Sequence, residues 1–290
     1  MSFLQAIIMG IVQGLTEFLP VSSSGHLAII RNLFGTDYTG ILFEVMLHFG
    51  TLIAIFIVYY KDILKLFIEG MGIVIDFFIN LYKLILSIFT SNKQNFRPLL
   101  STQYRKFVIL VGVASIPTAL FGLFFKNKME TFMTTLLVPG IALLVTGTML
   151  VFTDKIVTGR KKEEKTTYTN AFAIGVFQGL AIIPGISRSG ATIVGGLLNG
   201  LEKNFAIKFS FIASIPAVLG ATILEIKDIQ SGSFSEVIST PYLAGTIVSA
   251  VVGFICIKTL IVLLNKKKFH WFAYYCYIVG VSSIIGSLFL

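Results

Sequence analysis

Charge is what this chain has least of. Only 13% of its 290 residues are Asp, Glu, Lys or Arg, against about 25% in a soluble domain. So sparse a supply cannot cover an ordinary water-facing surface. Cysteine is nearly absent as well. Cys256 and Cys276 both sit inside apolar runs, which argues against a disulfide framework and leaves no cysteine-based metal motif. The N-terminus has no basic stretch followed by a small-residue cleavage site, so no removable signal peptide is expected. Net charge is +9. The Lys and Arg residues lie mainly between apolar runs, so the excess reads as membrane loops held on the cytoplasmic side, with no nucleic acid as partner.

What the chain has in abundance is apolar length. Apolar residues make up 55% of it, and mean hydropathy is +0.88. Ile41–Tyr60, Phe107–Phe125, Phe132–Phe152, Ala206–Ile226, Tyr242–Leu264 and Phe272–Leu290 each approach the roughly 20 residues that span hydrocarbon. The expected fold is an all-α integral membrane protein, a multi-span helical bundle. Basic clusters at Lys93/Arg97/Arg105/Lys106, Lys155/Arg160/Lys161/Lys162/Lys165 and Lys266/Lys267/Lys268 mark the cytoplasmic side. The Ser-rich stretch Asp228–Ser239, with two acids and no base, suits the outside.

Two stretches are copies of one another. Gly10 to Gly25 reads GIVQGLTEFLPVSSSG, and Gly175 to Gly190 reads GVFQGLAIIPGISRSG. Gly10, Gln13, Gly14, Leu15, Ser22, Ser24 and Gly25 recur as Gly175, Gln178, Gly179, Leu180, Ser187, Ser189 and Gly190. The copies diverge where ionisable groups stand. Glu17 faces Ile182, Ser23 faces Arg188, and His26 faces Ala191. Each copy is apolar but broken by Pro20 or Pro184 and a Ser/Gly cluster, and proline cannot continue a helix.

Each copy is therefore read as a re-entrant helix–loop–helix, the first entering from outside and the second from the cytoplasm. An ordinary kinked span is the plainer reading. The re-entrant one makes the chain an inverted repeat with its broken tips meeting near the midplane. The whole chain, 1–290, is then one polytopic membrane domain. Residues 1–153 form the first repeat, 154–170 a polar cytoplasmic linker and 171–290 the second repeat. Segment 63–90 has no counterpart and reads as an insertion. With Lys65, Glu69, Asp76 and Lys83 among apolar residues, it suits either an interfacial amphipathic helix or a helical hairpin.

The candidate chemistry lies in the copies. Glu17 is a carboxylate at membrane depth, which is costly and so by default functional. Gln13, one helical turn earlier, shares its face. Ser22, Ser23, Ser24 and Gly25 follow the first break; Ser187, Ser189, Gly190 and Thr192 follow the second. Hydroxyls and free N–H groups at helix N-termini bind anions. Arg188 adds a planar fork suited to phosphate oxygens. Two anion cradles, one arginine, one carboxylate and one imidazole point to phosphoryl transfer from a substrate with more than one phosphate. Singly, each residue has a bland alternative in helix packing; together in matched broken loops they do not. Gln178 supports the second loop as Gln13 does the first. His48, four residues after Glu44, reads as structural or as a support behind the site. His270, beside Lys266–Lys268, reads as interfacial.

These segments carry a resemblance. Gln13 to His26, QGLTEFLPVSSSGH, and Pro184 to Thr192, PGISRSGAT, resemble the two signatures of the undecaprenyl pyrophosphate phosphatase family, also called bacitracin-resistance proteins. The resemblance covers the chain in length and span pattern. It implies a multi-pass enzyme of the bacterial plasma membrane, its site opening to the outer face. Such an enzyme hydrolyses a polyprenyl pyrophosphate lipid, undecaprenyl pyrophosphate, to undecaprenyl phosphate. It thereby recycles the lipid carrier of cell-wall synthesis and confers bacitracin resistance. It further implies Glu17 as essential acid, His26 as essential histidine, Arg188 as essential arginine and Ser23 as nucleophile. Many members carry a second Glu where this chain has Gln13. A divalent cation, Mg²⁺ or Ca²⁺, is implied as cofactor, with Glu17 as candidate ligand; no organic cofactor is expected. A homo-oligomer is compatible with the sequence. Attack by Ser23, by His26 or by water remain alternatives, with His26 or Glu17 taking the proton. A reading from a different class is an inverted-repeat transporter or flippase of a lipid phosphate or small anion.

Overall fold

The computed structural model describes residues 2–34, 41–89, 95–156, 159–227, 239–266 and 268–289. Among these, the long elements are all helices: α1 Phe3–Phe18, α2 Ser23–Phe34, α3 Ile41–Val58, α4 Tyr60–Phe89, α5 Gln103–Met133, α6 Leu137–Thr153, α7 Tyr168–Leu180, α8 Arg188–Leu198, α9 Lys203–Lys227, α10 Thr240–Asn265 and α11 Phe269–Gly286. A 3-10 turn at Glu163–Lys165 lies in the linker between α6 and α7.

Four stretches are long and apolar enough to cross a membrane: Tyr60–Phe89, Gln103–Lys126, Lys203–Ile223 and Thr240–Leu263. The last three contain most of the expected runs in α5, α9 and α10. The run Phe132–Phe152 is displaced, because α5 continues through Pro117 to Met133 before α6 begins at Leu137. The fourth stretch, α4, overturns the hairpin alternative for 63–90. It is one unbroken helix of 30 residues, about 45 Å long. Asp228–Ser239, apart from Ser239, lies outside the described residues, as does Lys267.

Polarity is arranged for lipid. Gln13, Thr146 and Ser249 are 0% exposed, while Phe124 and Ile278 on the outside are 73% and 68% exposed. A soluble protein shows the reverse. Helix contacts use small residues, as close approach in lipid requires. A Cβ on Gly14 of α1 would come 2.8 Å from the Ser249 carbonyl of α10, and one on Gly179 of α7 would come 2.7 Å from the Phe121 ring of α5. Gly10 and Gly175 pack on the same neighbours. Four of the repeated glycines therefore serve helix packing and lie away from the anion loops.

Both copied stretches fold back on themselves. Ala6 and Met9 of α1 share an apolar cluster with Leu27 and Ile30 of α2, together with Phe43 and Leu47. In a continuous span these ends would lie over 30 Å apart, at about 1.5 Å per residue. In the second hairpin, the Asn170 amide near the start of α7 donates to the Asn199 side chain just past α8, at 3.0 Å. The open end of α1/α2 lies beside Tyr242 of α10 and Met133 of α5. That of α7/α8 lies beside Lys161 of the linker.

Candidate active site

The two loop tips meet. Ser22 holds φ at 69°, the left-handed region that non-glycine residues rarely enter, and this turns its hydroxyl to two duties. The Ser22 Oγ accepts from the Gly25 amide at 3.3 Å, capping α2, and from the Gly185 amide at 3.1 Å, tying on the second loop. Gly185 has φ +100° and packs on Pro139 and Ala142 of α6. Thr146 of α6 braces the same loop, donating to the Gly185 carbonyl at 2.8 Å and accepting from the Ser187 amide at 3.0 Å. Ser187 Oγ caps α8 by accepting from the Gly190 amide at 3.1 Å. Ser189 lies 3.2 Å from Ser187 and Ser24 lies 3.3 Å from Ser22, hydroxyl to hydroxyl.

These contacts bring the N-termini of α2 and α8 together, so the positive ends of two helix dipoles converge. The caps use the Gly25 and Gly190 amides. The amides of Ser23, Ser24, Arg188 and Ser189 stand in first turns, where the helix offers no acceptor. Those four amides thus lie at the meeting tips, while Ser22, Ser187, Gly25 and Gly190 make the caps. Thr192 lies one turn along α8 from Arg188. Its hydroxyl is 2.5 Å from Ser210 Oγ and donates to the Arg188 carbonyl at 2.7 Å.

Glu17, Ser23 and Arg188 are brought into direct contact. The Ser23 hydroxyl donates to Glu17 Oε2 at 2.5 Å. Arg188 Nη2 pairs with Glu17 Oε1. Gln13 Nε2 donates to Glu17 Oε2 at 3.0 Å. Both carboxylate oxygens are therefore held by donors, as a buried charge requires. The other guanidinium nitrogen, Arg188 Nη1, is buried with no partner among the described residues. An unmatched buried donor costs about 1–3 kcal/mol or more, and an anion seated at the tips would satisfy it.

His26 lies on the Ser23 face of α2 but is turned elsewhere. Its Nδ1 is 2.7 Å from the Ser22 carbonyl, which can only accept, so Nδ1 carries the proton. Its Nε2 is 2.7 Å from the Tyr275 hydroxyl of α11, and the two rings stack 5.6 Å apart. Tyr275 was invisible to sequence reasoning, which had no pattern linking α2 to α11. His48 also moves into the site. Its Nδ1 lies 3.1 Å from Gln13 Nε2 and 3.7 Å from Glu17, while Glu44 pairs with Arg31 at 3.5 Å. Gln178 stays away from the tips, donating to Thr118 Oγ1 at 3.0 Å and the Ala213 carbonyl at 3.3 Å. It braces α7 against α5 and α9. His270 pairs with Asp154 at 2.9 Å at the linker end of the bundle.

The tightest point between the tips is Gly25, where an added Cβ would come 2.8 Å from Gly185 Cα and 3.0 Å from its nitrogen. Both are backbone atoms and cannot swing aside. Gly25→Ala should part the tips and lower turnover by about 10²-fold, the scale of a 1 Å misplacement, with a small change in melting temperature in detergent. Turnover within twofold of the unmutated chain would show that the tips need not meet.

Fold and site together define a class: a polytopic helical membrane protein with a buried hydroxyl–carboxylate–arginine cluster where two broken helices meet. The comparisons agree with it. The sequence pattern of the family described as Bacitracin resistance protein BacA matches residues 6–282, and the chain belongs to that family. It is 44% identical over 289 residues to an undecaprenyl-diphosphatase of Alkaliphilus metalliredigens, covering 99% of this chain and 100% of the relative. It is 39% identical over 290 residues to one of Methanosphaera stadtmanae, covering both chains fully. A third, from Carboxydothermus hydrogenoformans, is 36% identical over 287 residues, covering 98% of this chain and 97% of the relative.

Proposed function

We propose that this chain hydrolyses undecaprenyl diphosphate to undecaprenyl phosphate and phosphate, with Ser23 as nucleophile. One observation carries the reading: the Ser23 hydroxyl donates to Glu17, which is itself paired with Arg188, at converging helix N-termini. A carrier needs an anion site but no hydroxyl aimed at a base, and this favours the enzyme over a transporter.

The diphosphate enters between the tips and takes Arg188 Nη1 and the amides of Ser23, Ser24, Arg188 and Ser189. Ser23 Oγ attacks the terminal phosphorus and Glu17 takes its proton. The bond from that phosphorus to the bridging oxygen breaks, and undecaprenyl phosphate leaves with the electron pair. Arg188 and the helix ends meet the charge that spreads over the equatorial oxygens. Water then attacks the phosphoseryl phosphorus, releasing phosphate and returning a proton to Ser23. What supports Glu17 over His26 as first base is geometry, since both nitrogens of His26 are engaged with Ser22 and Tyr275.

A divalent cation finds no ready cage in these side chains. Among the described residues there is no group of three or more His, Cys, Asp or Glu, and both Glu17 oxygens already accept hydrogen bonds. The family resemblance favours a cation; the donor set does not fit one as it stands, and no step here runs through it.

Our reading also keeps the inverted repeat. It is supported by the exchange of helices between halves, α1 packing along α10 and α7 along α5, and by hairpins opening beside Met133 and beside Lys161 respectively. We take the membrane to be the bacterial plasma membrane and the site to open on its outer face. Supporting this, α2 leads from the site to the Met133 end of α5, away from the basic linker.

The test is release of phosphate from a polyprenyl diphosphate by purified protein in detergent. Multiple turnovers lost in Glu17→Gln are expected. Stoichiometric binding of the lipid without phosphate release would favour the transporter.

A further inference from the structure

We propose that α4 does not cross the bilayer. It lies in the plane of the membrane at the linker end of the bundle, with a polar stripe on the protein and its apolar faces in the adjoining lipid leaflet. This holds whatever reaction the site performs.

The stripe is regular. Asp62, Glu69, Asp76 and Lys83 stand seven residues apart, one face of a helix. Every one is matched. Asp62 Oδ1 accepts from Tyr104 at 2.9 Å and pairs with Lys208 at 2.6 Å. Glu69 pairs with Arg105 at 2.9 Å. Asp76 pairs with Arg105 at 2.7 Å and Arg97 at 3.0 Å. Lys83 donates to the Asn95 carbonyl at 2.6 Å.

The positions of those partners set the angle. Asp62 and Asp76 are about 21 Å apart along α4, at 1.5 Å per residue. Yet they reach consecutive residues, Tyr104 and Arg105, in the first turn of α5. Helices lying side by side keep step, so that moving 14 residues along one means moving about as far along the other. Here α4 advances 14 residues while α5 advances one, and α4 must therefore cross the end of α5 steeply. Since α5 is a membrane-spanning helix, α4 runs across the membrane normal. Lys208, near the start of α9, and Glu163 of the linker join the same cluster. The beginning and the middle of α4 are thus both at one end of the bundle.

The charges agree. A crossing α4 would carry Asp62, Lys65, Glu69 and Asp76 over about 21 Å of a hydrocarbon core about 30 Å thick. Lying flat, the same groups sit at the interface. The occupant of the other faces then follows. Leu64, Phe67, Ile68, Ile75, Phe78 and Ile88 are 52–73% exposed, a continuous apolar surface that water does not cover cheaply. A flat helix at this level, attached directly after the apolar α3, meets lipid. Tyr60 and Tyr82, 58% and 63% exposed, are the aromatic side chains favoured at that depth.

The test uses the full chain in sealed vesicles of both orientations. Single substitutions Lys61→Cys, Ser87→Cys and Lys165→Cys mark the two ends of α4 and the linker. Cys256 and Cys276 are buried, at 4% and 0% exposure, and the unmutated chain measures their background. A membrane-impermeant maleimide should label all three positions from the same face. Labelling of 61 and 87 from opposite faces would overturn the proposal. Phe78→Trp in a Trp271→Phe background then identifies the occupant. Brominated lipids should quench most of its emission, with iodide in water having little effect. Strong iodide quenching, or efficient cross-linking of Phe78→Cys chains into dimers with no lipid quenching, would remove lipid as the occupant.

Discussion

Ser23→Ala should abolish turnover while substrate still binds. Arg188 Nη1 and the second-loop amides remain to hold the diphosphate, but no hydroxyl stands before Glu17. Loss of a nucleophile from a cooperating set typically costs 10⁴-fold or more. KM should change little, because the lost interaction belongs to the reacting atoms. Ser24→Ala should be mild by comparison, about 1 kcal/mol, since its hydroxyl makes one neutral contact at 3.3 Å. Ser22→Ala should be worse than Ser24→Ala, because Ser22 Oγ both caps α2 and ties the second loop. If Ser23→Ala stays within tenfold of the unmutated chain, a loss of only about 1.4 kcal/mol, water or His26 is the attacking group.

Arg188→Lys should lose about 10²–10³-fold in turnover although the charge is kept, the scale on which one preorganised transition-state donor is valued. The guanidinium spans two partners at once: Nη2 holds Glu17 and Nη1 is left for the substrate. An ammonium is a point charge and cannot hold both directions in one plane. If lysine pairs with Glu17, the phosphate loses its donor; if it turns to phosphate, Glu17 loses the partner that orients it. Either failure lowers kcat. Arg188→Ala should also destabilise the fold, by about 3–5 kcal/mol, because it strands a buried carboxylate. Melting curves in detergent separate the two effects. Near-native turnover in Arg188→Lys would show that charge alone suffices.

Much of the site is legible because it occurs twice. The copied stretches mark the breaks, and their divergence at Glu17, Ser23, His26 and Arg188 singles out the ionisable groups. Three of these four, Glu17, Ser23 and Arg188, are in contact. The repetition is silent on why each shared residue is shared. Gly10, Gly14, Gly175 and Gly179 are kept by helix packing, Ser22 and Ser187 by capping, and Gln178 by a brace to Thr118. Residues supplied by other helices leave no local sign. Tyr275 reaches His26 across 249 positions, and Thr146 meets Gly185 from α6. His48 has an apparent partner in Glu44, one turn away, and the fold sends each to someone else. The same limit hid the stripe on α4. Its seven-residue spacing begins at Asp62, before the segment that looked like an insertion, and Lys65 obscures the pattern.

The configuration at phosphorus tests the central claim most directly. A polyprenyl diphosphate made chiral at its terminal phosphorus, with one sulfur and two oxygen isotopes, is turned over in water bearing the third isotope. Each in-line displacement inverts the centre. Attack by Ser23 followed by attack of water is two displacements, so the account predicts thiophosphate of retained configuration. Inverted product would mean that water strikes the substrate directly, and would reduce Ser23 to part of the cradle.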